Sequence, residues 1–218
     1  MSTDDSILER LLFTIHKRLV SIPVAQHVRK DIVPIVDSWP SRPEKNTRTS
    51  HAVHLPVVDF FESALNIGEV SGDKEICSML RLLAPTLSWN FDYDPHPDFP
   101  SLGKRIAFTQ CVGPEDRWIS SQLAIGLTLI APETHYPAHC HPATEIYLPL
   151  AGTGLWSIGS ADYVARQPGE LIFHRSGVPH ATQAQEEPVL ALYIWHGVFI
   201  HLLNGSESDV SSRILPLI

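Results

Sequence analysis

Long apolar runs are scarce in this chain. The longest, around Leu123 to Ala131, falls far short of the roughly 20 residues that a membrane-spanning helix needs, so no membrane partner is expected. A secretory signal is also missing from the opening stretch MSTDDSILERLLFTIHKRL, where acids precede the apolar positions and no basic segment leads into an unbroken apolar core; a cytoplasmic protein is the expectation. Cysteine is thin. Cys77, Cys111 and Cys140 lie far apart with no CxxC spacing, which excludes a disulfide framework and a zinc-finger pattern and suits a reducing compartment. Positive charge is in deficit, with 16 Lys and Arg against 24 Asp and Glu and a formal net charge of −8. A surface of that sign is not built to neutralise phosphates, so nucleic acid is not an expected partner and small-molecule chemistry fits better. Internal repeats and low-complexity tracts are absent as well.

What is present divides the chain by texture. Charged residues at 18% and hydrophobic residues at 44% describe an ordinary folded protein rather than a disordered one. In the first half, Ile7, Leu8, Leu11, Leu12, Ile15 and Leu19 recur at three- and four-residue steps behind Ser2, Thr3 and Asp4, which predicts a capped amphipathic helix. Further helices are predicted within Val24 to Val36, interrupted near Pro34, and at Val57 to Ile67 and Asp73 to Leu83, the last two closed by Gly68 and Pro85. The stretch WPSRPEKNTRT, from Trp39 to Thr49, is a proline-rich polar connector. After Pro85 the pattern changes to short β-rich runs between Gly, Pro and Asp: Arg105 to Cys111, Leu123 to Ile130, Glu145 to Leu150, Leu155 to Ile158, Glu170 to Phe173, His180 to Gln183 and Val189 to Trp195. The fold class expected is mostly β with α: a helical region over residues 1–100 packed on the outside of an antiparallel barrel, or at its dimer interface, and the barrel itself over 101–218.

Seven of the twelve histidines fall between His135 and His201, and the segment from His135 to Tyr147 concentrates ligand-type side chains. Side chains alternate between the faces of a strand, so His139, His141, Glu145 and Tyr147, all at odd positions, can share the barrel interior, and the even gap across Pro142 preserves that parity. Two imidazoles and a carboxylate are three ligands of a divalent transition metal. The fourth is expected from another strand, and His180, which follows Gly177-Val-Pro, is the best placed. A set of three His and one Glu suits iron, manganese, cobalt, nickel and zinc alike, so one divalent ion per chain is expected without its identity. His135, His174, His196 and His201 have no place in this spacing and are not assigned to the site. Cys140 has the wrong parity for the ligand face and reads as a packed thiol.

These residues resemble the two motifs of the cupin superfamily. The first, HxHxxxE with six residues and then Gly, is matched by His139, His141, Glu145 and Gly152; the second is matched by Gly169, Gly177 and His180, with Arg175 where Pro is usual. Glu133 stands where a Gly often opens the first motif and Ala184 where an Asn often closes the second, departures that touch turns and not ligands. The resemblance implies a cupin, that is a jelly-roll barrel. Within cupins the string from His139 to Gly152, with Tyr147 two residues after Glu145, Tyr136 shortly before the histidine pair and Trp195 on the last barrel strand, is similar to the bacterial dimethylsulfoniopropionate lyases of the L type. That resemblance implies a carbon–sulfur lyase releasing dimethyl sulfide and acrylate. In such a reaction Tyr147 is the candidate base, with Tyr136 second, and Trp195, Tyr193, Trp156 and Tyr136 are candidate aromatic faces for a sulfonium cation. Tyr147 also fits a packed core tyrosine, and Trp195 and Tyr193 alternate with Leu192 and Ile194 in a way that suits a core as well. An iron dioxygenase acting on a thiol or diketone, and a non-catalytic ligand-binding cupin, would show the same ligand set. A homodimer is the expected assembly.

Overall fold

The computed structural model describes residues 2–40, 44–45, 54–91, 93–94, 96–114, 116–197 and 213–214. Helix α1 (Thr3–Ser21) starts at a capping box in which the Ser2 hydroxyl accepts from the Asp5 N–H and the Ser2 N–H donates to the Asp5 carboxylate. Its stripe of Leu8, Leu11, Leu12, Ile15 and Leu19 is buried, as the spacing predicts. Helix α2 (Gln26–Asp37) contains Pro34 and runs three residues past it. The segment predicted as a helix from Val57 divides into a 3-10 turn (Pro56–Phe60) and α3 (Phe61–Ser71), since Pro56 opens the first turn. Helix α4 (Lys74–Leu83) is capped by Asp73, whose carboxylate accepts from the Ile76 N–H and from Arg18 of α1. The connector from Trp39 to Thr49 lies largely outside the described residues.

Among the described residues twelve strands form two sheets. The chain order is β1 (Glu44–Lys45), β2 (Ile106–Gly113), β3 (Trp118–Ile119), β4 (Leu123–Ile130), β5 (His135–Cys140), β6 (Thr144–Ala151), β7 (Gly154–Ile158), β8 (Val164–Arg166), β9 (Ile172–His174), β10 (His180–Ala184), β11 (Val189–His196) and β12 (Arg213–Ile214). One sheet runs β1-β3-β2-β4-β11-β6-β9 and the other β12-β5-β10-β7-β8, antiparallel except where β2 meets β3. Strand β5 adds to the strands expected from the sequence, which did not include His135 to Cys140. Tyr136 is a buried strand residue paired with Thr182. The short strand β8 had no signal in the sequence.

The seven-stranded sheet is covered on both faces. Leu123, Ile125, Leu127 and Leu129 of β4, Ile146, Leu148 and Leu150 of β6, and Leu190, Leu192 and Ile194 of β11 form one cluster with the buried stripes of α1, α3 and α4. Their alternate neighbours, among them Ala124, Tyr147, Ala191 and Tyr193, form a second cluster with Tyr136, Trp156 and Ala184 of the five-stranded sheet. Coverage on two sides explains why β4 reads LAIGLTLI with every position buried. Helices α1, α3 and α4 pack on the outer face of the seven-stranded sheet. Helix α3 approaches β6 so closely that a Cβ on Gly68 would stand 2.7 Å from the Leu150 carbonyl oxygen. Glu133 has φ 50°, the left-handed backbone that a Gly at this motif position adopts without strain.

Candidate active site

The ligand-type residues meet because two sheets face each other, and here the parity argument is corrected. His139 lies on β5 of the five-stranded sheet and Glu145 on β6 of the seven-stranded sheet; between them His141, Pro142 and Ala143 carry the chain across. The His141 carbonyl accepts from the Gly177 N–H at 2.9 Å, which ties this crossing to the turn that precedes β10. His180 opens β10 and is the register partner of His139, so the two imidazoles are neighbours on one sheet with ring centroids 4.2 Å apart. One nitrogen each from His141 and His180 and one oxygen of Glu145 lie within 4.8 Å of one another, all buried, and the His139 ring stands beside them.

The hydrogen bonds set the tautomers. Nδ1 of His139 lies 2.9 Å from the Pro137 carbonyl, Nδ1 of His141 3.2 Å from the Ala143 carbonyl, and Nδ1 of His180 2.9 Å from the Val178 carbonyl. A carbonyl can only accept, so each Nδ1 carries a proton, which leaves Nε2 as the ligand atom of a neutral imidazole. Burial, with His180 nearby, holds His139 well below the usual histidine range and so keeps it neutral. Nε2 of His141 and Nε2 of His180 both stand 3.1 Å from Oε2 of Glu145, a carboxylate oxygen that also only accepts, and the His180 atom lacks hydrogen-bond geometry. Electron pairs converging at that distance call for a proton or a cation among them. Three imidazoles and a carboxylate with their other nitrogens anchored to the backbone fit a divalent transition metal.

Sequence reasoning left out two residues that the structure brings to this place. His174, at the end of β9, is fully buried, puts Nδ1 3.0 Å from Glu145 Oε2, and stacks on His180 with centroids 3.9 Å apart. Burial pushes it down to about 4, against the Glu145 hydrogen bond. Tyr93, ahead of the barrel, meets the Tyr136 hydroxyl, while the Tyr136 ring stacks on His139 at 4.0 Å. No local periodicity announces either: His174 arrives through pairing of β9 with β6, and Tyr93 through the bridge between Asn90 and Phe108.

The remaining aromatic candidates are all inside the barrel or at its mouth. Tyr147 is buried one pleat from Glu145, its hydroxyl 3.3 Å from Thr128 and its ring 4.9 Å from Trp156. Burial first, then the Glu145 charge, pushes its phenol well above the usual tyrosine range. Tyr193 donates to Gln110 at 2.9 Å, and its ring crosses β4 where Gly126 leaves room; a Cβ there would stand 2.6 Å from the hydroxyl. Trp195 donates through Nε1 to Glu145 Oε1 at 2.6 Å and lies against His141. His135 pairs with Tyr163 and His196 with Ser38, away from the cluster, and His201 lies outside the described residues.

Two facing sheets that gather imidazoles around one carboxylate between them give the chain a cupin-type fold. The family model for dimethylsulfoniopropionate lyase matches residues 29–191, and the chain belongs to that family, which makes it a carbon–sulfur lyase. It is 30% identical over 182 residues to the putative dimethylsulfoniopropionate lyase DddL of Cereibacter sphaeroides, an alignment covering 81% of this chain and 74% of the relative. To dimethylsulfoniopropionate lyase DddQ of Ruegeria pomeroyi it is 36% identical over 109 residues, covering 50% of this chain and 54% of that protein. The crystal structure of DddQ from Ruegeria pomeroyi DSS-3 superposes with a TM-score of 0.68 at 22% identity over 96% of both chains. A second structure, from work on the DMSP lyases RdDddP and RnDddQII, gives 0.73 at 21% identity over 98% of this chain and 100% of the other. At these identities the structures show a shared fold.

Proposed function

We propose that this lyase cleaves dimethylsulfoniopropionate by β-elimination inside the barrel, with a divalent transition-metal ion held by His139, His141, Glu145 and His180 and with Tyr147 as general base. The observation that carries the reading is the buried Tyr147 hydroxyl on the face of β6 that bears Glu145, beside imidazoles whose Nε2 atoms are left open by their Nδ1 anchors. A divalent ion there supplies positive charge near the substrate carboxylate and makes the neighbouring α hydrogen more acidic. Tyr147 oxygen takes the α proton, the C–H electron pair becomes the second Cα–Cβ bond, and the C–S pair leaves with sulfur as neutral dimethyl sulfide, giving acrylate. No general acid is required because the leaving group departs uncharged. The Tyr147 phenol has to ionise first, and among the influences that hold its proton, burial foremost, the Glu145 charge is one that a cation would offset. For the sulfonium the aromatic candidates are Trp156, whose ring lies beside Tyr147, and Tyr193 and Trp195, whose polar ends are bonded to Gln110 and Glu145. Phe91, Tyr93 and Phe99 line a pocket next to Tyr136 that offers an aromatic approach.

Tyr136 is the second reading for the base, favoured by the Tyr93 hydroxyl, which can donate to its phenolate. Tyr147→Phe decides between them. With Tyr147 as base the variant keeps metal content and KM, loses on the order of a hundredfold or more in kcat, and no longer exchanges the substrate's α hydrogen with solvent. Near wild-type turnover would transfer the role to Tyr136. Headspace dimethyl sulfide released without oxygen separates the lyase from a dioxygenase. A homodimer is the assembly we expect, and sedimentation velocity reports that mass.

A further inference from the structure

We infer that Trp195 and His174 are positioning residues that clamp the Glu145 carboxylate from both sides, so that it offers a metal ion the single oxygen Oε2. The inference rests on the metal-site reading above. In the seven-stranded sheet, Trp195 of β11 and His174 of β9 are the two register partners of Glu145 on β6, one on each flank. Directly opposed residues share a face, with Cβ atoms about 4.5–5.5 Å apart, so the three side chains project together into the barrel. Indole N–H is a donor only, which settles the direction of the 2.6 Å contact from Trp195 Nε1 to Oε1. On the other flank His174 Nδ1 reaches Oε2 at 3.0 Å. Oε1 is thereby turned toward the indole, and Oε2 faces the His141 and His180 nitrogens at 3.1 Å.

Each clamp residue also lies on one histidine. The Trp195 ring lies 4.3 Å from the His141 ring and the His174 ring 3.9 Å from the His180 ring. Carboxylate and imidazoles are thus held by the same two side chains. An apolar ring in place of His174 would fill the same volume without burying a polar atom, whereas the imidazole leaves Nε2 buried and unpartnered among the described residues. What the imidazole adds is the N–H on Glu145. An unclamped carboxylate can rotate and present both oxygens to a cation; one with a donor on each flank cannot.

The test measures zinc affinity by chelator competition on the full chain, with circular dichroism and melting of the metal-free protein alongside. Trp195→Phe keeps a ring and removes the N–H; His174→Phe does the same on the other flank; His174→Asn keeps an amide N–H near the Nδ1 position. The clamp requires zinc affinity to fall about 10- to 100-fold in each Phe variant and to return most of the way in His174→Asn. Cobalt-substituted protein should show altered d–d bands in both Phe variants. As a second readout, the Trp195 indole N–H resonance of metal-free wild type, assigned by its through-space contacts to the His141 ring, should lie downfield and move in Glu145→Gln. Unchanged zinc affinity and cobalt spectrum in both Phe variants overturn the clamp. A raised KM with unchanged zinc affinity in Trp195→Phe would instead assign the indole to the substrate and overturn it equally. If wild type binds no zinc, cobalt or manganese, the metal-site reading fails and the clamp with it, an outcome distinct from normal wild-type binding with insensitive variants.

Discussion

On β6 the side chains of Ile146, Leu148 and Leu150 face the helices while Glu145 and Tyr147 face the barrel, so one strand carries two kinds of chemistry a single residue apart. Strand β11 repeats the contrast, with Leu190, Leu192 and Ile194 outward and Tyr193 and Trp195 inward. The outward rows are aliphatic and bury their area against α1, α3 and α4, where each fully buried side chain of this size contributes about 1.5–3 kcal/mol. The inward rows instead face a barrel interior that holds a charged carboxylate, four imidazoles and tyrosine hydroxyls, where Trp156 Nε1, His174 Nε2 and His180 Nε2 have no hydrogen bond among the described residues. Such groups weaken a fold unless something occupies them. Stability and chemistry are divided between the two sides of one sheet, and the helical layer is what lets the barrel interior be polar.

Substitutions on either side separate the two roles. The largest effect belongs to the interior: Glu145→Ala or His141→Ala should abolish binding of a divalent ion and turnover together while the far-ultraviolet circular dichroism is kept, because the helical layer still holds the sheet. Full metal occupancy in both variants would break the contrast. On the outer face, Ile194→Ala should cost about 2–5 kcal/mol in urea denaturation and leave metal content per folded molecule unchanged. Within the helical layer, Asp73→Ala removes the α4 cap and the Arg18 partner, an expected loss of about 1 kcal/mol near neutral pH. Burial pulls the Asp73 carboxyl up, but the Arg18 and Ile76 donors outweigh it and the group sits below its ordinary range. A carboxylate depressed in the folded state stabilises fully above its unfolded value and loses that contribution as pH falls through the folded one. The difference between wild type and Asp73→Ala should therefore shrink below about pH 4 in parallel denaturation curves. The smallest effect is a gain. Glu133→Gly relieves a left-handed residue, about 1–2 kcal/mol, against about 0.5–1 kcal/mol of added chain entropy, and should raise the urea midpoint slightly.

The amphipathic stripe of α1, the change to β texture and the odd-numbered inward residues of β6 were all legible because each is a repeat carried by neighbours in the chain. Even the departure at Glu133 could be read as a turn problem, and the backbone there bears it out. The parity count across Pro142 placed these side chains near one another, but not by the route the chain takes, since His139 and Glu145 belong to strands of opposite sheets. Counting along a chain says which residues share a face, and it is silent on which sheet that face belongs to.

By itself, then, the amino-acid order put forward the candidates, His139, His141, Glu145, His180 and Tyr147, and the β-rich stretch that carries them. Only the tertiary structure decided who stands next to whom. His174 reaches Glu145 because β9 pairs with β6 in a register that sets the two residues opposite, Trp195 because β11 does so on the other flank, and Tyr93 reaches Tyr136 from ahead of the barrel. These contacts join residues 29, 50 and 43 positions apart. Register across strands is set by the packing of whole sheets and not by any local repeat, which is why the donors around the carboxylate became visible only in the folded chain.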